Sequence, residues 1–125
     1  QRPMDMPPLN ICLQVNIDNE PGKSGFNADH ISAAVTEINS LPRLQLRGLM
    51  AIPAQSDNVA KQRDSFSRMR TLYDSVKDAI DSKNDKASFD TLSMGMSADL
   101  EPAIAEGATI VRVGTDIFGP RDRLV

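Results

Sequence analysis

The chain has 125 residues, 40% hydrophobic and 25% charged, a balance that suits one globular domain over residues 1–125 with a single core. Its net charge of -3, with Lys and Arg interspersed among Asp and Glu, argues against a nucleic-acid surface. No apolar run approaches the roughly 20 residues that span a bilayer, and Gln1 to Pro8 has no signal-peptide core, so a cytoplasmic protein without a membrane partner is expected.

Leu9, Ile11, Leu13, Val15 and Ile17 alternate, which predicts a strand followed by turn chemistry from Asp18 to Gly25. The single Cys12 has no disulfide partner and, lying inside that run, is expected to be a small buried thiol. Asn27 is placed to cap a helix whose apolar stripe is Ile31, Ala34, Val35, Ile38 and Leu41, and Pro42 stops it. Gln45 to Ile52 reads as a second strand ended by Pro53.

From Asp57 to Ser82 helical spacing returns in Val59, Phe66, Met69, Leu72, Tyr73, Val76 and Ile80, predicting a long surface helix. The polar stretch Lys83 to Ser88 leads to a third strand, Phe89 to Ser93, and a small-residue loop, Met94-Gly95-Met96-Ser97. A short helix from Asp99 to Glu106 tolerates Pro102 in its first turn, ends at Gly107, and turns Leu100, Ala103 and Ile104 inward. The last strand, Thr109 to Val113, runs through Gly114-Thr115 into a helical turn at Asp116 to Gly119.

This βαβαβαβ order requires parallel strands with right-handed crossovers. Four strands cannot close a barrel, and a complete (β/α)8 barrel needs about 250 residues, so the expectation is a half-barrel. Two of its loops, Ser93 to Ser97 and Gly114-Thr115, follow successive strands and open into helices. Free N–H groups, glycine and hydroxyls in that arrangement can surround a phosphate. Any one of these glycines alone would be read as an ordinary turn; two adjacent loops favour an anion site. In α/β barrels that site follows strands seven and eight.

Arg112 alternates with Val111 and Val113 and points into the barrel, where either an interior carboxylate or a ligand atom would satisfy it. His30 is the one histidine, beside Asp29 at a helix start, so no metal cluster or Ser-His-Asp set can be assembled. Met94 and Met96 are assigned to packing, as is Tyr73.

Gly48-Leu49-Met50-Ala51-Ile52-Pro53, Leu92-Ser93-Met94-Gly95-Met96-Ser97 with Asp99-Leu100, Glu106-Gly107-Ala108-Thr109, and Val111-Arg112-Val113-Gly114-Thr115-Asp116-Ile117-Phe118-Gly119 form an ordered series. With Lys23-Ser24-Gly25, it resembles the C-terminal half of the pyridoxal phosphate homeostasis protein family over essentially the whole chain. The resemblance implies the barrel of the alanine racemase N-terminal domain and non-enzymatic buffering of pyridoxal 5'-phosphate. It implies Ser97 and the backbone of Gly114 and Thr115 around the cofactor phosphate, Ser93 and Met96 nearby, and Arg112 facing the pyridine nitrogen. The family's cofactor lysine is expected in the half this sequence does not include, and Lys23, Lys61, Lys77, Lys83 and Lys86 do not match it. The enzyme alternative is a racemase of related fold, which needs a second proton-transfer residue opposite that lysine. An interaction module is a third reading, in which two copies pair to cover the exposed edges of the half-barrel.

Overall fold

The structure is a computed structural model that describes residues 2–83 and 88–121. The first alternating segment forms β1 (Leu9–Gln14), shorter than the expected Leu9 to Ile17. Beyond Gln14 the Val15 N–H still bonds the Met50 carbonyl and Val15 bridges to Phe26, and Asn16 then turns the chain: its side chain accepts from the Glu20 N–H and donates to the Glu20 carbonyl.

Asn27 does cap, but it caps a 3-10 turn at Ala28–His30, accepting from the Asp29 N–H at 3.0 Å, and the α-helix proper is α1 (Ile31–Asn39). His30 is exposed and makes no side-chain cap. The long helix α2 (Val59–Lys83) buries Phe66, Met69, Tyr73, Val76 and Ile80 at the predicted spacing. The interior of the expected polar linker, 84–87, which includes Lys86, lies outside the described residues.

Strands β2 (Leu44–Met50), β3 (Thr91–Met96) and β4 (Ile110–Arg112) join β1 in one parallel sheet of order β1-β2-β3-β4. With α3 (Leu100–Ala105) and α4 (Thr115–Phe118), the described chain is four successive strand-helix units, the repeating unit of an α/β barrel. The core lies between the sheet and the helices. Leu13, Leu49, Leu92 and Met94 come from the strands, and Ile31, Val35, Phe66, Met69 and Ala103 from the helices.

Three expectations change here. Met94, Gly95 and Met96 are the end of β3, not a loop. Gly95 takes a left-handed φ of 101°, and between Ser93↔Ile110 and Met96↔Arg112 β3 carries one more residue than β4. That bulge prolongs the strand by placing Gly95 against Ala103 of α3. Met94 is fully buried, as assigned, but Met96 is 42% exposed and does not pack in the core. Ile104 is 55% exposed, because a helix of six residues buries only Ala103 fully.

Cys12 is likewise exposed. Leu13 and Val15 face the helices, so the neighbour between Ile11 and Leu13 falls on the opposite side of the sheet, which no helix among the described residues covers.

α3 ends as its sequence suggests. The Gly107 N–H bonds the Ile104 carbonyl and the Ala108 N–H bonds the Ala103 carbonyl, with Gly107 at φ 100°. This double closure satisfies the last carbonyls and aims the chain into β4.

Candidate functional site at the strand ends

The carboxyl ends of β3 and β4 lie side by side because Met96 pairs with Arg112. Ser97 follows the first and Gly114 the second. The structure brings them together: Ser97 Oγ accepts the N–H groups of Gly114 and Asp116, each at 3.2 Å. Two amides at the opening of α4 thus converge on one hydroxyl oxygen. Around Gly114 nothing lies within 4 Å of where a Cβ would sit, so the loop faces open space. Thr115 is exposed beside it.

The β3 side of this cradle is fixed by Asp99, whose carboxylate accepts the Met96 N–H at 2.7 Å. That leaves Ser97 as the first residue of a 3-10 turn, its hydroxyl directed across to the β4 loop. Ser93 is buried at 8% exposure, and its backbone carbonyl accepts the Ala51 N–H at 3.0 Å, tying β3 to the end of β2.

Arg112 lies one step below. Its Nη2 donates to the Ala51 carbonyl at 2.9 Å, and its Nε is buried with no hydrogen-bond partner among the described residues. Val111 points the other way, toward Gly95 and α3, which confirms the predicted alternation. A buried guanidinium N–H without an acceptor is costly, on the order of 1–3 kcal/mol, and such groups call for an explanation.

Residue reasoning missed Asp18. Its carboxylate accepts from the Ala54 N–H at 2.7 Å, from Ser65 Oγ at 2.8 Å and from Arg68 Nη2 at 2.5 Å. Burial pushes the carboxyl up, but the hydrogen bonds from Ala54, Arg68 and Ser65 outweigh it and hold Asp18 below the usual carboxylate range. The sequence signal was an acid at the carboxyl end of a strand, hidden by its resemblance to turn chemistry.

Comparison with known proteins identifies the lineage. Residues 3–122 match the family described as alanine racemase, N-terminal domain. The chain belongs to that family. Within it, the chain is 48% identical over 122 residues to a pyridoxal phosphate homeostasis protein of Pseudomonas aeruginosa, covering 98% of this chain and 49% of that protein. It is 46% identical over 125 residues to the protein of the same name from Escherichia coli, covering 98% of this chain and 50% of the other. The chain spans about half the length of the curated relatives it matches.

Among solved structures, PipY of Synechococcus elongatus superposes with a TM-score of 0.73 without pyridoxal phosphate, at 34% identity over 88% of this chain and 49% of PipY. The form of PipY with pyridoxal phosphate bound gives 0.72 at the same identity and coverage. A protein from Bifidobacterium adolescentis gives 0.76 at 37% identity, covering 90% of this chain and 44% of the other.

Proposed function

We propose that this chain provides the phosphate and ring-nitrogen contacts of a pyridoxal 5'-phosphate site, within a non-catalytic protein that holds and buffers the cofactor. The observation that carries the reading is the buried, partnerless Nε of Arg112 next to a two-amide cradle at Ser97, Gly114 and Asp116. The donor set fits the cofactor: N–H groups and a hydroxyl for the phosphate, and a cationic N–H for the pyridine nitrogen. The kinship with proteins named for pyridoxal phosphate homeostasis, and with PipY in its cofactor-bound form, supports the same assignment.

In this reading the Ser97 hydroxyl donates to the phosphate, the Gly114 amide turns from Ser97 Oγ to join that of Thr115 in holding it, and Ser93 and Met96 border it. Glycine at 114 leaves room for phosphate oxygens to approach the backbone. The cofactor itself would supply an electron-withdrawing ring. Arg112 would donate toward the ring nitrogen and keep a proton off it, which would weaken the ring as an electron sink and favour storage over carbanion chemistry. Tyr73 is no candidate for a proton-transfer residue. It is 5% exposed, stacks on Phe89 at 5.0 Å and donates to the Phe89 carbonyl, on the helix side of the sheet. Such a role belongs in the cytoplasm, where enzymes draw on the cofactor; among the described residues, no helix is long and apolar enough to cross a membrane.

The test is calorimetric titration of pyridoxal 5'-phosphate into the chain and into its Arg112→Ala and Ser97→Ala variants. Saturable binding weakened in both supports the reading. Binding that is absent in the parent chain, or unchanged in both variants, overturns it.

A further inference from the structure

The polar cluster around Asp18 lies at the carboxyl end of β1, away from the cradle at β3 and β4, yet it grips the segment that holds Arg112. Two residues separate the two grips. The Ala54 N–H is fixed by the Asp18 carboxylate, and the Ala51 carbonyl accepts Arg112 Nη2. Ala51 is fully buried, and its N–H is bonded to the Ser93 carbonyl, so its peptide cannot turn independently of β3. Between them stand Ile52 and Pro53. Proline fixes its own φ and restricts the residue before it, making a short stiff link.

We propose that Asp18 is a positioning residue for Arg112, acting through the backbone of Ala51 to Ala54 to fix where the free Nε–H points. The inference deepens the preceding one and rests on Arg112 being the ring-nitrogen donor. Asp18 is suited to the task because it is itself held from two sides. Its Oδ1 takes Arg68 Nη2, Oδ2 takes the Ala54 N–H, and Ser65 Oγ lies within reach of both, at 2.8 and 3.1 Å. Arg68 also donates to the Ile17 carbonyl at 2.7 Å and to Asp64 at 2.9 Å, anchoring the cluster to α2 and to the segment that follows β1. A carboxylate accepts on both oxygens, whereas Asn in its place has one acceptor and one amide. Its one oxygen could accept from Ala54 or from Arg68, but not from both.

The experiment follows the Nε–H resonance of Arg112 in the whole chain by two-dimensional proton-nitrogen NMR, assigned by its disappearance in Arg112→Lys. Asp18→Asn is expected to shift that resonance and to speed its exchange with water roughly tenfold, the scale on which a residue biases a site it does not touch. Ser65→Ala, a milder change that leaves Ala54 gripped, should move it in the same direction by less. Val76→Ala, a core truncation remote from the cluster, should lower stability and leave the resonance where it is. An Arg112 Nε–H unaffected by both Asp18→Asn and Ser65→Ala overturns the proposal, as does an equal shift in Val76→Ala. Calorimetry with pyridoxal 5'-phosphate runs in parallel. Failure of the parent chain to bind it sinks the cofactor reading while the NMR comparison still decides the positioning role.

Discussion

Arg112 donates to the Ala51 carbonyl through Nη2 at 2.9 Å, and its buried Nε has no partner among the described residues. In a site built only for stability the second donor would have been matched or removed, because an unpaired buried N–H weakens the fold. Arg112→Met separates the two demands. It keeps much of the side-chain volume and removes the orphaned donor but also the partner of the Ala51 carbonyl, so the two effects oppose and the melting temperature should move by only a few degrees. Affinity for pyridoxal 5'-phosphate should fall by at least about tenfold, the loss of one charge-assisted hydrogen bond. Thermal denaturation beside calorimetry checks both; a variant that melts far lower would mean that the arginine is structural.

Ser97 is the common acceptor for two amides, so Ser97→Ala leaves the Gly114 and Asp116 N–H groups without it. Both lie at the surface end of the sheet, where water replaces part of what is lost, and the cost should be about 1 kcal/mol in denaturant unfolding. Affinity for the cofactor should fall several-fold. Inorganic phosphate should compete with the cofactor for the parent chain more effectively than for the variant, which assigns the loss to the phosphate end. Equal competition would move the phosphate elsewhere.

The strand and helix order was legible because the periods of the segments are strong: the apolar stripe of α2 and the alternation of β1 need only local spacing. That the loops after β3 and β4 would meet was legible from their place at the ends of successive strands, and Ser97 Oγ joins them. Three features depended on contacts that spacing does not encode. The end of β3 runs on to Met96 because Gly95 makes a bulge against Ala103, a long-range packing choice. Cys12 is exposed because its side of the sheet has no helical layer over it, a fact about the layer rather than about the strand. Asp18 finds Arg68 fifty residues away, and only the crossover through β2 brings them together.

Gly95 offers a test of the bulge. Its φ of 101° disfavours any side chain, and an added Cβ would lie 2.5 Å from Ala103 Cβ. Gly95→Ala should cost roughly 2–4 kcal/mol, combining left-handed strain with overpacking. Adding Ala103→Gly removes the overlap but not the strain, and itself weakens α3 by about 1 kcal/mol. The two changes together should therefore be less harmful than the sum of the single variants, a coupling that a double-mutant cycle in urea would measure. Strict additivity would mean that the β3–α3 contact does not limit this position.

The exposed Cys12 is a chemical probe for the uncovered side of the sheet. Partial desolvation raises its thiol pKa; Arg47 opposes that shift, and Asp90 adds to it. A raised pKa means less thiolate at a given pH, so alkylation by iodoacetamide should be slower near pH 8 than for a free thiol and should reach its half-maximal rate at a higher pH. Asp90→Asn removes the contribution of that carboxylate and also frees Arg47 from its ion pair, which should bring the profile back toward lower pH. A profile indistinguishable between the two proteins would separate Cys12 from the Arg47–Asp90 pair.

Acid should unfold the chain partly through Asp18 and Asp90. For Asp18, burial raises the pKa while the Ala54, Arg68 and Ser65 hydrogen bonds lower it further; for Asp90, the hydrogen bond from Arg47 lowers it, with burial opposing. Both folded-state values therefore lie below the unfolded ones. A depressed carboxylate binds fewer protons folded than unfolded, so its stabilisation is fully present above the unfolded pKa and is lost as pH falls through the folded one. The melting temperature should be flat near neutrality with respect to these two groups and should fall below about pH 4, the range of free carboxylates. Asp18→Asn should start lower and decline less steeply over that acid range, because the proton that acid would add no longer has a site there. Melting curves from pH 7 to pH 2.5 for both proteins decide it: parallel declines would mean that Asp18 does not carry the acid sensitivity.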